Sequence, residues 1–123
     1  MSPGAMIRVA CHDLMFRSKV ETTLGHMGHV ALTLRAADDP AAVVAANHPV
    51  AAIVDLGLGE ERWRHIVAAV RAPEPPIPVL AFGSHVDRAM QAAARQAGCD
   101  LVVANSRLAR ELPDLVDRLI TRA

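Results

Sequence analysis

This sequence predicts an α/β domain built on one doubly wound parallel sheet, and three observations carry that reading. Five short apolar runs alternate with five stretches in which apolar residues recur every three or four positions. The central run, Val50-Ala-Ala-Ile-Val-Asp55-Leu-Gly-Leu-Gly59, is apolar without alternation and then delivers one carboxylate to a glycine-rich turn, as a strand covered on both faces would. The length of 123 residues is that of one domain, large enough to bury a core without disulfide or metal staples. Right-handed crossovers then give a strand order of 2-1-3-4-5 with five helices.

Ile7-Arg-Val-Ala10 is the first strand, followed by Cys11-His12-Asp13. Phe16, Val20, Leu24 and Met27 then mark one face of a helix that Gly28 ends in the left-handed conformation. Val30 to Leu34 is the second strand, and Asp39-Pro40 opens a short helix to Asn47 with a capping carboxylate and a first-turn proline. After the central strand, Glu60 and Glu61 occupy the positive end of a third helix with Trp63, Ile66, Val67 and Val70 as its buried stripe. Ile77 to Phe82 is the fourth strand, with Gly83 after it. Ser84-His-Val-Asp87 has capping-box spacing for a helix that runs to Ala97 and closes on Gly98. Leu101 to Ala104 is the fifth strand, Asn105-Ser-Arg a loop, and Leu108 to Leu112 a single turn. Pro113 then starts a last helix facing inward with Leu115, Val116, Leu119 and Ile120, with Asp114 and Arg118 paired outside.

Composition narrows the function classes. Apolar residues make up 52% of the chain and aromatics 2%, so Ala, Val, Leu and Ile build the core around Phe16, Phe82 and Trp63. A formal net charge of zero removes the long-range field that non-specific nucleic-acid binding needs, and no direct nucleic-acid partner is expected. No apolar stretch is long enough to span a membrane, and residues 1–5 show no export signal; they are expected to be a disordered or extraneous N-terminus before a domain over 6–123. Cys11 and Cys99 are isolated, as reduced thiols in a cytoplasmic protein would be.

With Asp55 ending strand three, Ile77-Pro-Val-Leu80 in strand four and Ala97-Gly98-Cys-Asp100 before strand five, the chain from Met6 onward resembles a response-regulator receiver domain, a CheY-like, flavodoxin-like fold. The resemblance implies that Asp55 is the candidate phosphoacceptor. It also implies two acidic residues for magnesium at the end of strand one, where this chain has Cys11 and His12, with Asp13 one place late. Gly83 stands in place of a threonine or serine, with Ser84 and His85 next, and Asn105 in place of a lysine. Magnesium wants several oxygen ligands at short distance, and Asp55 with the Gly57 carbonyl makes a poor site. Phosphoryl transfer to a carboxylate also needs cationic charge to spread the developing negative charge. The expectation is therefore a degenerate pocket of Cys11, His12, Asp13, Gly57, Gly83, Ser84, His85 and Asn105 around Asp55: a pseudo-receiver.

The expected protein is a stand-alone signalling module of two-component type, not an enzyme and without a cofactor, that acts by protein–protein interaction. Other signalling proteins are its expected partners, and a homodimer through helix four, strand five and helix five its expected assembly. The partner surface there carries Arg88, Arg95, Arg107 and Arg110, with Arg118 and Arg122 further along; arginine suits interfaces, although a solvated face has the same composition. Two alternatives stay open. One is a single-domain regulator phosphorylated on Asp55, with magnesium held by Asp13 and Asp55. The other is a small metal- or ligand-binding protein using Cys11, His12, Asp55 and His85 at the strand ends. Ser84 and His85 are adjacent at a helix start, which does not make a nucleophile–base pair.

Overall fold

The computed structural model describes residues 4–43 and 46–121. Residues 1–3 of the expected N-terminal segment, residues 44–45 of the expected second helix, and Arg122 lie outside the described residues. The elements run β1 (Met6–Ala10), α1 (Leu14–His26), β2 (Val30–Thr33), α2 (Pro40–Val43), β3 (Ala51–Asp55), α3 (Glu60–Arg71), β4 (Val79–Gly83), α4 (Arg88–Ala97), β5 (Leu101–Ala104) and α5 (Asn105–Thr121), with a 3-10 turn at Leu56–Leu58. All pairings are parallel and the strand order is β2-β1-β3-β4-β5, as the alternation of periods requires.

Side chains alternate across each strand, so the two faces of the sheet carry different residues. Ile7, Val9, Ile53, Leu80, Phe82 and Val103 pack against α1 and α5 through Val20, Leu24, Leu108, Leu115, Val116 and Leu119. On the other face, Ala10, Ala52 and Ala81 are small, and the room they leave is taken by α3, whose Trp63 is fully buried beside Ile66, Val67 and Val70. Phe16 of α1 stacks on Phe82 with ring centroids 5.3 Å apart. Gly28 (φ 85°) and Gly98 (φ 113°) occupy the left-handed region where α1 and α4 stop, a conformation that costs glycine little.

Three local expectations are corrected. The capping box at Ser84 does not form: α4 starts at Arg88, and Asp87 is itself the cap, its carboxylate accepting from the Met90 amide at 2.8 Å. The half-buried Val86 packs among the residues of the α3 face, which holds 84–86 out of the helix. Next, Asn105-Ser-Arg is not a loop, and Leu108 to Leu112 is more than a turn. Helix α5 begins at Asn105 because buried Leu108 and Leu112 continue the stripe of Leu115, Val116 and Leu119, and its backbone breaks only at Glu111 (φ −119°, ψ 17°), two residues before Pro113. Among the described residues Asp114 and Arg118 close no ion pair; Glu111 instead takes Arg107 and Arg110, each at 3.3 Å. The third correction concerns β4, which starts at Val79 and includes Gly83, because Pro76 and Pro78 have no amide proton to give to a ladder.

One buried charge was not foreseen. Arg8, in the middle of β1, is 6% exposed, and its guanidinium donates to the carbonyls of Leu32 (3.3 Å) and Ala46 (2.8 Å). Burial pulls its pKa below the ordinary arginine value, and the Asp38 carboxylate works in the opposite direction.

Candidate functional site at the strand ends

Strand β3 brings Asp55 to the carboxyl edge of the sheet, and the backbone that follows closes on it. The chain turns at once into the 3-10 turn, so the Gly57 amide points back and donates to Asp55 Oδ1 at 2.8 Å. A side chain at Gly57 would place its Cβ 2.9 Å from that same oxygen, closer than real contacts come, so any other residue here would force the carboxylate or the turn to shift. The other oxygen, Oδ2, accepts from the His12 backbone amide at 2.9 Å and from the Cys11 thiol at 3.6 Å. Asp55 is 6% exposed and its carboxylate is enclosed on both oxygens.

The residues after β1 define what this edge can do. Burial and the adjacent Asp55 carboxylate push the Cys11 thiol up to about 12, so it is a neutral donor at physiological pH and no anionic ligand. The His12 ring is exposed while its backbone serves Asp55. Asp13 caps α1, its Oδ1 accepting from the amides of Met15 (2.8 Å) and Phe16 (3.2 Å). The position one place late is thereby occupied with helix initiation.

The remaining predicted residues do not join this cluster. Gly83 is buried at the end of β4, beside Leu56 and Val86. Ser84 and His85 follow it on the exposed connection to α4. Asn105 opens α5 with its Oδ1 buried and without a hydrogen-bond partner among the described residues. An amide at this place carries no charge, whereas a lysine would. On the α4 and α5 side Arg88, Arg95 and Arg110 are exposed, and Arg107 is half-buried against Glu111.

Magnesium, which the resemblance implies, is not matched by this donor set: one enclosed carboxylate, one protonated thiol and one capping aspartate do not offer the oxygen shell it requires. Nor do Cys11, His12, Asp55 and His85 converge as a transition-metal site; among the described residues no group of three or more His, Cys, Asp or Glu side chains is placed to hold a metal.

A cleft of about 440 Å³ opens next to Asp55, between the β1–α1 connection, the β2–α2 connection and α3. Arg17, Arg35 and Arg62 line it together with His12. No sequence motif announces this grouping, since the three arginines come from separate segments.

No family model and no curated protein matches the sequence. Solved structures do. A response regulator from Thermotoga maritima superposes with a TM-score of 0.81 at 15% identity, over 96% of this chain and 98% of that one. The phosphorylated cyanobacterial phytochrome response regulator RcpA gives 0.75 at 14% identity, over 98% and 96%. NtrX from Brucella abortus, in complex with ADP, gives 0.81 at 20% identity over 97% of this chain, which spans about a quarter (26%) of NtrX. The likeness fixes the fold as that of a CheY-like receiver domain. Among the described residues no helix is long and apolar enough to cross a membrane.

Proposed function

We propose that this chain is a receiver-like regulatory module that acts in the cytoplasm by binding other proteins and is not switched by conventional phosphoryl transfer. The observation that carries the reading is the enclosure of Asp55: both oxygens accept hydrogen bonds from within the fold, and the residue on which a metal ligand would be expected is a thiol pushed up to about 12. A carboxylate attacking a phosphoryl group meets a second anion, and the reaction is slow unless nearby cations offset the charge. Here Asn105 replaces the ammonium, and Asp13 is turned into the first turn of α1.

The partner surface we assign is α4, β5 and α5, where a second copy or another signalling protein docks. Arg88, Arg95 and Arg110 stand exposed on it, and exposed Ala89, Ala92 and Ala104 leave it low in relief. Guanidinium groups on a flat surface suit recognition of carboxylates on a partner.

The test is intact mass of the folded protein after incubation with magnesium and a small-molecule phosphoryl donor, with Asp55→Asn as control. No phosphate-sized gain is the expected result. A stable gain that disappears in Asp55→Asn would overturn the reading and make Asp55 a working phosphoacceptor.

A further inference from the structure

The cleft beside the strand ends gathers positive charge in a molecule whose formal net charge is zero. Arg17 comes from α1, Arg35 from the β2–α2 connection and Arg62 from α3, so the fold alone brings them together. Their own bonds leave donors unused. One nitrogen of Arg62, Nη2, donates to the carbonyls of Arg35 (3.2 Å), Ala36 (3.3 Å) and Asp38 (3.1 Å), which orders the guanidinium and leaves its other N–H groups without a partner among the described residues. Arg17 meets Glu21 only through Nε, at 3.7 Å, and both its terminal nitrogens stay available. The Arg35 side chain makes no bond among the described residues.

The nearby carboxylates are partly engaged by other groups, and the Arg17–Glu21 pair is long, at 3.7 Å. Glu21 accepts from the Thr33 hydroxyl at 2.6 Å, and Asp38 accepts from the Arg35 backbone amide at 2.8 Å. None of the cleft's lining residues is acidic. The rest of the lining is apolar, with Leu34 and Ile66 at its base, Leu58 half-buried and Leu14 exposed. Arginine forks bind phosphate oxygens in pairs, and an apolar wall gains from covering a ring or chain attached to them. Clefts of roughly 300–1,000 Å³ are the size that takes small molecules.

We propose that this cleft is a binding site for a small organic phosphate, its phosphate group held by Arg17, Arg35 and Arg62 and its apolar body resting on Leu14, Leu34 and Leu58. The site is chemically independent of phosphorylation on Asp55. It is also physically joined to it, because His12 lines the cleft and binds Asp55 through its backbone amide. Ligand in the cleft therefore touches the connection that encloses Asp55.

Titration calorimetry on the full chain at low salt tests this with AMP as probe, against inorganic phosphate, adenosine and citrate. AMP is expected to bind roughly tenfold more tightly than inorganic phosphate or adenosine, and to weaken with added salt. Arg35→Gln, a change on an exposed residue that leaves the fold intact, is expected to weaken AMP by about tenfold, and Arg17→Gln by a similar factor. The same titration on Asp55→Asn is expected to bind AMP at least as tightly as the wild type, because a negative charge beside the cleft is removed. Absence of AMP binding at millimolar ligand, equal affinity for AMP and inorganic phosphate, preference for citrate, or affinity indifferent to both arginine variants would each overturn the proposal.

Discussion

Between β1 and β3 the carboxyl edge of the sheet is closed, while between β4 and β5 it is open. At the closed part, Asp55 collects an amide from Gly57, an amide from His12 and the Cys11 thiol, and Asp13 collects two amides of α1. At the open part, among the described residues, the Ser84 and His85 side chains are exposed and unbonded and Asn105 Oδ1 is buried with no partner. The difference lies in who donates. Backbone amides are supplied by any sequence that makes the turn, so the closed part needs only a carboxylate and a glycine. The open part depends on side chains reaching across strands, and among the described residues Ser84, His85 and Asn105 make no such bond.

Alkaline pH tests that contrast with the largest effect. The Cys11 and Cys99 thiols are pushed from an ordinary 9.0 up to about 12, both chiefly by burial, with neighbouring carboxylates adding to it. Each pKa is raised in the folded state, so the stability it contributes is fully present below pH 9.0 and is lost as pH rises through about 12. Urea unfolding from pH 8 upward should show this fall, and Cys11→Ala should remove its share. A Cys11→Ala profile as steep as the wild type would mean that the fold, through burial and Asp55, does not raise the Cys11 thiol.

Removing the acceptor comes next. Asp55→Ala strands two amides and a thiol, and is expected to lower unfolding free energy by about 2–3 kcal/mol. An unchanged urea midpoint would show that the enclosure contributes nothing. The two glycines at this edge sharpen the same point. Gly57→Ala forces a Cβ to 2.9 Å from an oxygen held by its own hydrogen bond, for an expected loss of about 1–2 kcal/mol. Gly83→Ala meets Leu56 Cβ at 3.4 Å, and a loss within about 0.5 kcal/mol is expected by the same urea unfolding. The smallest effect separates the two candidate caps of α4. Asp87→Ala should cost about 1 kcal/mol and Ser84→Ala close to nothing; the reverse order would restore Ser84 as the cap.

Much of the fold was legible because it rests on local pattern. Trp63, Ile66, Val67 and Val70 recur at helical spacing and are all buried, and Gly28 and Gly98 end their helices at positive φ as backbone sterics dictate. The errors fall where local signals competed. Ser84 and Asp87 have capping-box spacing, and the packing of Val86 decided between them. Asn105 to Arg107 is polar enough for a loop, and buried Leu108 and Leu112 made it helix.

The sequence by itself determined the layers, the five-stranded parallel sheet and the arrival of one carboxylate at its edge, because periodicity and glycine conformations act within a few residues. Only the tertiary structure decided that Cys11 would meet Asp55 across forty-four positions, that Arg8 would be buried on two carbonyls, and that Arg17, Arg35 and Arg62 would share a cleft. Those contacts join segments whose spacing in the chain carries no period. They come into being when the helices pack onto the sheet and the connections at its edge must find partners for their polar groups.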